Sequence, residues 1–266
     1  MSNFQKHKNH DTYFVPGLFR GLRVLEILAE HEAPMSTSEL AREMKISRSS
    51  AFRLVYTLNY MGFTQNAKGS QDVELGGRVL NLGFSFLASQ KMVQTARDDL
   101  KTLRDETKIS SHMAILESKE VLFLECIQSK SGHLSNVNVG RRMPAYQSPL
   151  GWILLSDLTS RKLMALYKDV EMIQLTDKTP NTPNMLVNAI NKAAETGIVV
   201  SYGAVGKDGI SISAPIFDKD GAIIAAIDIS GPNAAFDMNV IESFYIPNVE
   251  KAAQNISSRL GYIGNS

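Results

Sequence analysis

The segment from Lys45 to Leu58, KISRSSAFRLVYTL, carries two arginines and three serines in an otherwise apolar helical pattern. At 100° per residue, four apolar side chains fall on one face of the predicted helix: Ala51, Leu54, Val55 and Leu58. The opposite face presents Ser49, Arg53 and Tyr56. One face therefore belongs to a core, and the other is available for a ligand or for solvent.

The start of this helix has the chemistry of a DNA-reading element. Ser47 is a suitable N-cap, so the free backbone N–H groups and the positive end of the helix dipole favour a phosphate there. Six residues are the predicted DNA contacts: Arg48 and Ser50 to phosphate, Ser49, Arg53 and Tyr56 to base edges or sugar, and Lys68, further along, to phosphate or the minor groove. In the alternative, this face of the helix contacts only solvent and binds no DNA. We expect Phe52, at the boundary of the two faces, to pack against the preceding helix; contact with a thymine methyl is the other reading.

An enzyme is the competing hypothesis, with four candidate residues: Cys126, His112, Glu125 and Asp208. Strict alternation along the strand FLECIQ places Cys126 on the same face as Leu122 and Leu124, which predicts a buried structural cysteine. A Cys126–His112 pair stays open, because His112 lies on a neighbouring predicted strand. The sequence holds no nucleophile elbow, Walker loop, HExxH motif or paired-cysteine metal site. We therefore predict no catalytic residue, no metal site and no cofactor.

Length and charge predict two domains with different partners. The chain has 266 residues and a net charge of +1. Its first 91 residues hold 11 Lys and Arg against 8 Asp and Glu, whereas the remainder holds 17 against 19. The basic excess therefore lies at the front, as phosphate contacts require. The sequence has no apolar run long enough for a membrane span, no secretory signal and a single cysteine, so we expect a cytoplasmic protein without membrane contact.

The first 90 residues divide into an arm, a folded unit and a linker. Residues 1–16 lack periodicity and predict a disordered arm. Residues 17–76 predict a winged helix-turn-helix, because three amphipathic helices precede two short strand patterns, Phe63–Gln65 and Asp72–Leu75. Residues 77–90 predict a linker helix, and its apolar surface requires a partner such as a second subunit.

Residues 91–262 predict an α+β sensor domain with one sheet and one pocket. Strand patterns lie at 111–116, 120–128, 133–139, 197–202, 209–217 and 221–230, and helical patterns at 92–107, 149–166, 182–196 and 239–260. Four polar residues occur at strand positions among Ile and Ala: Ser201, Ser211, Asp228 and Ser230. Polar groups in a core are costly unless a ligand or each other satisfies them, which favours a pocket.

Several separated motifs, in order, resemble the IclR family of bacterial transcriptional regulators. They are RGLRVLEILAEHEAPMSTSELAREMKISRSSAFRLVYTLNYMGF, ELGGRVLNLG, VGRRMPAYQSPLGWILL and SAPIFDKDGAIIAAIDISGP, followed by an amphipathic helix. The match spans roughly residues 17–262. The resemblance implies a winged helix-turn-helix, a linker helix and a GAF-like effector-binding domain. It also implies operator DNA and a small-molecule effector as partners, in a homodimer that assembles into a homotetramer and controls catabolic genes. Contact with RNA polymerase, and activation or repression, are left open.

The resemblance places the effector pocket at ten residues: Tyr146, Ser148, Pro149, Leu150, Gly151, Trp152, Ser201, Ser211, Asp228 and Ser230. Five of them depart from the usual family pattern. Ser211 replaces a cysteine, Ser201 an acidic residue and Asp228 a serine. Tyr146 and Trp152 stand where His and Lys are common. The ligand is therefore expected to differ from the glyoxylate or pyruvate of carboxylate-binding relatives.

Asp228 leads to a prediction about the effector. An ionised carboxylate only accepts hydrogen bonds and repels anions, which favours a polyol, a sugar derivative or an amine-bearing or zwitterionic metabolite whose cation Trp152 covers. In the alternative, Asp228 pairs with Arg142 or a backbone N–H and only shapes the wall. A small carboxylate or an aromatic acid then becomes the effector.

Overall fold

The computed structural model describes residues 8–31, 33–131 and 137–264, which form two compact units, Phe4–Ser89 and Gln90–Ser266. The first unit contains five helices and a two-stranded sheet among its described residues: α1 (His10–Tyr13), α2 (Pro16–Glu30), α3 (Thr37–Glu43), α4 (Arg48–Tyr60), β1 (Thr64–Asn66), β2 (Val73–Leu75) and α5 (Arg78–Ser89). This is the predicted order of a winged helix-turn-helix followed by a linker helix.

Local sequence explains how the two central helices start. Ser36 and Glu39 form the predicted capping box at α3, each side chain binding the other's backbone N–H. The Ser47 hydroxyl accepts a hydrogen bond from the Ser50 N–H at 3.2 Å and caps α4. Their apolar faces meet in a core shared with α2 and β2, formed by Val24, Ile27, Leu28, Met35, Leu40, Val55, Leu58 and Val73. The core therefore fixes which face of α4 points outward.

The predicted disordered arm, residues 1–16, is only partly within the described chain. Residues 1–7 lie outside it, and α1 begins at His10. Helix α2 begins at Pro16, whose fixed φ suits the first turn of a helix. For residues 10–16 the prediction is therefore wrong.

The second unit is a six-stranded antiparallel sheet between two layers of helices. Its elements are α6 (Lys91–Thr107), β3 (Ser110–Glu117), β4 (Glu120–Ile127), β5 (Arg142–Pro144), α7 (Pro149–Leu155), α8 (Ser160–Tyr167), α9 (Pro183–Thr196), β6 (Val199–Tyr202), β7 (Gly209–Phe217), β8 (Ile223–Pro232) and α10 (Ile246–Arg259). The strand order is β5-β4-β3-β8-β7-β6. Helices α6 and α10 pack on the isoleucine-rich face, and α7, α8 and α9 pack on the other. The predicted α+β class is confirmed.

Three predicted elements of this unit differ from the structure. The single helix predicted at 149–166 is two helices, α7 and α8, because the chain turns at Asp157, whose carboxylate accepts a hydrogen bond from the Ile223 N–H at 2.8 Å. The strand predicted at 133–139 lies partly outside the described residues, and its described end is not a strand. The final helix begins as a π-turn at Ile241–Tyr245 and becomes α10.

Within the described residues, no helix is both long enough and apolar enough to span a bilayer.

The junction between the wing and α5 depends on Gly76. Its N–H donates to the Phe63 carbonyl at 2.8 Å, and a Cβ at this position would lie 2.4 Å from the Gly62 carbonyl oxygen. Arg78, two residues on, donates to the Met61 carbonyl at 2.8 Å and lies over the Phe63 ring. These contacts hold the start of α5 against the end of α4.

We predict that Gly76→Ala lowers the free energy of unfolding by about 1–3 kcal/mol, because backbone must move to admit the methyl group. Gly77→Ala is the matched control, since no atom lies within 4 Å of its added Cβ. Its effect should stay within about 0.5 kcal/mol. Urea unfolding followed by circular dichroism measures both, and equal stabilities would contradict the close approach.

Candidate functional site

Helix α4 presents the predicted DNA contacts on its outer face. Arg48, Ser49, Arg53 and Tyr56 are exposed. Ser50 is half-buried, because its hydroxyl accepts a hydrogen bond from the Ser47 hydroxyl at 2.9 Å at the N-cap. Within the described residues, neither arginine forms an ion pair, so both guanidinium groups are available to an anionic partner. The serine-arginine start of α4 is therefore a free cationic surface on a rigid helix.

Phe52 does not pack against the preceding helix, so that prediction is wrong. Its side chain is 62% exposed, and its ring stacks on Tyr56, with centroids 6.5 Å apart and planes 27° apart. The buried positions of α4 are Ala51, Val55 and Leu58, and they leave Phe52 outside the core. Tyr60, one turn beyond Tyr56 and 86% exposed, was not anticipated from the sequence.

The wing is a short hairpin whose tip carries Lys68. Strands β1 and β2 pair in register, and Gln65 donates to Glu74 across them at 2.8 Å. The turn uses Gly69, whose φ of +77° is one that other residues rarely adopt. Lys68 is exposed beside it and forms no ion pair among the described residues. Its position fits the predicted contact with the DNA backbone.

A cavity of about 200 Å³ lies in the second unit, on the α7 side of the sheet. Seven predicted effector residues line it: Ser148, Pro149, Leu150, Ser201, Ser211, Asp228 and Ser230. Phe123, Met143 and Ala204 add apolar wall. Among the described residues, its lining therefore holds four hydroxyls, one carboxylate and no cationic side chain. A larger groove of about 500 Å³ along β7 and α10 contains none of the predicted effector residues.

Three predicted effector residues hold α7 in place and do not line this cavity. The Tyr146 hydroxyl accepts from the Ile173 N–H at 2.7 Å, and the Trp152 indole N–H donates to the Tyr146 carbonyl at 2.9 Å. A Cβ on Gly151 would lie 2.0 Å from the Ala145 oxygen. The expectation that Trp152 covers a ligand cation is wrong, because its indole is buried against this turn.

Asp228 forms a buried hydrogen-bonded network on the cavity wall. Its Oδ1 lies 2.7 Å from His112 Nδ1, and its Oδ2 accepts from the Ser211 hydroxyl at 3.0 Å. The Ser230 hydroxyl lies 3.3 Å from the same His112 nitrogen. The alternative in which Asp228 pairs with Arg142 is wrong, because Arg142 forms ion pairs with Glu117 and Glu120 and His112 stands directly opposite Asp228 on β3.

Cys126 is not arranged as a nucleophile. A register shift opposite Leu124 breaks strict alternation on β4, so Cys126 packs with the cluster of Val121 and Phe123 and not on the side of Leu122. Burial, with the charges of Asp228 and Glu125, raises the pKa of its thiol to about 12. The thiol is therefore protonated at neutral pH, and the nearby His112 bonds to Asp228.

The comparisons with known proteins agree with this architecture. Residues 84–258 match the model for the bacterial transcriptional regulator IclR C-terminal domain, and residues 17–67 match the IclR helix-turn-helix domain. The HTH-type transcriptional regulator KdgR of Escherichia coli is 24% identical, with 98% of each chain covered.

Solved structures show the same fold. IclR of Thermotoga maritima superimposes with a TM-score of 0.75 at 23% identity, over 93% of this chain and 99% of that one. An IclR homolog of Microbacterium hydrocarbonoxydans, complexed with 4-hydroxybenzoate, has a TM-score of 0.79 at 22% identity and covers 92% and 98%.

An exposed recognition helix in a winged helix-turn-helix, joined in one chain to an α+β unit with a small polar pocket, defines the class of DNA-binding transcriptional regulators. The chain belongs to the IclR family of bacterial transcriptional regulators. The predicted resemblance is confirmed, and the enzyme hypothesis is rejected because the relatives are regulators.

We predict that Arg53→Ala weakens binding to an operator selected from random duplexes by about 1–3 kcal/mol and relaxes its sequence preference, because arginine binds guanine O6 and N7 bidentately. Arg48→Ala is the matched comparison on the same helix. It should weaken all sequences about equally and flatten the salt dependence. Gel-shift titrations at several salt concentrations measure both. Unchanged operator affinity in folded Arg53→Ala would contradict the assignment of this face.

Proposed function

We propose that this protein is a cytoplasmic, homodimeric regulator of catabolic genes whose operator affinity responds to a small polar metabolite bearing hydrogen-bond donors. The observation that carries the effector class is the Asp228 network in the cavity wall. The dimer is supported by the apolar surface of α5. Phosphate and base contacts from α4 and the wing supply the DNA interface.

The network sets the polarity of the cavity wall. If His112 Nδ1–H donates to Asp228, and the Ser211 hydroxyl donates to the same carboxylate, the proton of Ser211 is already used. The Ser213 hydroxyl, 3.2 Å from that of Ser211, then donates to Ser211, so Asp228 is the main acceptor left for a ligand. Ser148 and Ser201 can donate or accept. A polyol, or an ammonium group, matches this set, whereas a small carboxylate is repelled by Asp228 and meets no cation among the described lining residues.

Cavity size restricts the effector further. About 200 Å³ is below the roughly 300–1,000 Å³ typical of pockets for drug-sized ligands. Phe123, Met143 and Leu150 supply apolar wall next to the hydroxyls. The effector therefore combines a short carbon skeleton with several polar groups.

An aromatic hydroxy acid is the second candidate. The Microbacterium homolog is complexed with 4-hydroxybenzoate. In this chain, the ring would meet Phe123 and Leu150, and a phenolic hydroxyl would donate to Asp228. Its carboxylate would have to bind to serine hydroxyls, because no cation is found among the lining residues that the structure describes.

Helix α5 carries the argument for a dimer. It has no buried residue within its unit, and its large apolar side chains are exposed: Leu80, Leu82, Phe84 and Phe86. A contiguous apolar surface of this kind marks an interface. A second copy is the simplest partner, since two winged domains are needed to read a two-fold operator, and tetramers would follow from pairing of dimers.

We predict that polyols or amine-bearing metabolites stabilise the wild type in a thermal-shift and calorimetric screen. A ligand at 100 times its Kd adds about 2.7 kcal/mol to the free energy of unfolding. Asp228→Ser should weaken these ligands and improve binding of simple 2-oxo acids, because it removes the carboxylate. Tight 2-oxo acid binding by the wild type, unimproved in Asp228→Ser, would show that Asp228 does not select the effector.

We predict that Leu82→Glu and Phe86→Glu give monomers or aggregates, because an unpaired carboxylate buried in an interface costs several kcal/mol. Asn81→Glu, on the polar side of α5, is the matched control and should leave the oligomer intact. Light scattering with size-exclusion chromatography measures the mass of each variant. A monomeric wild type would disprove the proposed dimer.

A further inference from the structure

Phe52 and Tyr56 form an exposed aromatic pair, and the proposed DNA contacts include Tyr56 but not Phe52. The two side chains, 62% and 65% exposed, lie one turn apart on α4 and stack on each other. Single exposed apolar residues are ordinary on protein surfaces. Two stacked rings on a rigid helix form a larger apolar surface, and within the described residues no element of the first unit covers it.

The surroundings of the pair indicate which partner covers it. Ser49 and Arg53 lie on the same outer face, Ser49 three residues before Phe52 and Arg53 three residues before Tyr56. Arg48 stands at the N-terminus, where free N–H groups also favour phosphate. An apolar strip flanked by unpaired cations is complementary to a major groove, which is anionic at its rims and has methyl groups on its floor.

We propose that Phe52, supported by Tyr56, contacts the C5-methyl groups of thymines in the major groove of the operator. A phenyl ring has no hydrogen-bonding atom, so the methyl group of thymine is the base-edge feature that it can recognise. Tyr56 holds the ring of Phe52 by stacking. Phe52 is thus a specificity-determining residue for thymine, next to Arg53, which reads guanine.

The pair also predicts a pattern in the operator. Consecutive residues of a recognition helix read neighbouring base pairs. Each half-site should therefore contain a thymine within about one or two base pairs of the guanine read by Arg53. Tyr60 lies a further turn towards the C-terminus of α4, away from the end that contacts base edges, and takes no part in this contact.

The test removes single methyl groups from the DNA. An operator selected from random duplexes by the wild type is resynthesised with deoxyuridine at one thymine at a time, in both half-sites. Fluorescence anisotropy at fixed salt gives the Kd of each duplex. One buried methyl group corresponds to about a fourfold change in affinity. We expect a loss of about this size, for each half-site, at one or two thymine positions with the wild type.

Variants identify the residue that senses the methyl group. Phe52→Ala should bind the unmodified operator at least about fivefold more weakly and should no longer distinguish thymine from uracil at those positions. Phe52→Leu, which keeps an apolar side chain, should retain part of the discrimination. Tyr60→Ala, the matched exposed aromatic, should discriminate as the wild type does. Circular dichroism melts and light scattering verify that each variant is folded and keeps its oligomeric state.

Two results would overturn the proposal. One is a wild type that is indifferent to uracil at every thymine. The other is a uracil effect of equal size in wild type and Phe52→Ala. If Phe52→Ala instead dissociates the oligomer while the uracil effect persists, the aromatic pair is a contact between protein chains and the proposal is wrong. Non-specific DNA binding of each variant is measured as well. If it is normal, a negative result contradicts the thymine contact and not DNA binding itself.

Discussion

The buried hydrogen bond between His112 and Asp228 is the constraint on which the second unit depends. The two side chains stand opposite each other on adjacent central strands, β3 and β8, and both are removed from solvent. A carboxylate buried without a partner costs several kcal/mol, so Asp228 requires His112 and Ser211 together. The cavity carboxylate is therefore accommodated in the sheet by the two side chains that bind it.

The turn before α7 has a different role from this network, because it positions residues at the cavity. Gly151 lets the helix approach the Ala145 carbonyl, and Tyr146 and Trp152 bind backbone groups around it. These residues place Ser148 and Leu150 at the cavity. The family resemblance pointed to the whole segment, because it was drawn from a run of consecutive residues. Only the three-dimensional structure distinguishes side chains that line the cavity from side chains that hold the lining residues in place.

Local patterns predicted the parts of the structure that local physics determines. The strand predicted at 209–217 matches β7 from end to end, and the capping box at Ser36 forms as predicted. Long-range pairing was not predictable: 116 residues separate His112 from Asp228. The irregular register near Leu124 reversed the expected orientation of Cys126. The outward position of Phe52 depends on how α2 and α3 fill the core, which helical periodicity does not specify.

In both units the period of the secondary structure separates core residues from ligand-facing residues, with a helical period in the first unit and a period of two in the second. Along α4, helical spacing assigns Ala51 and Val55 to the core and leaves Ser49 and Arg53 outside. Along β8, a period of two assigns isoleucines to the α6–α10 side and Asp228 and Ser230 to the cavity. Because each period separates core from ligand face, ligand-facing residues can change while the packing is kept. This explains how a chain only 24% identical to KdgR can retain the family fold.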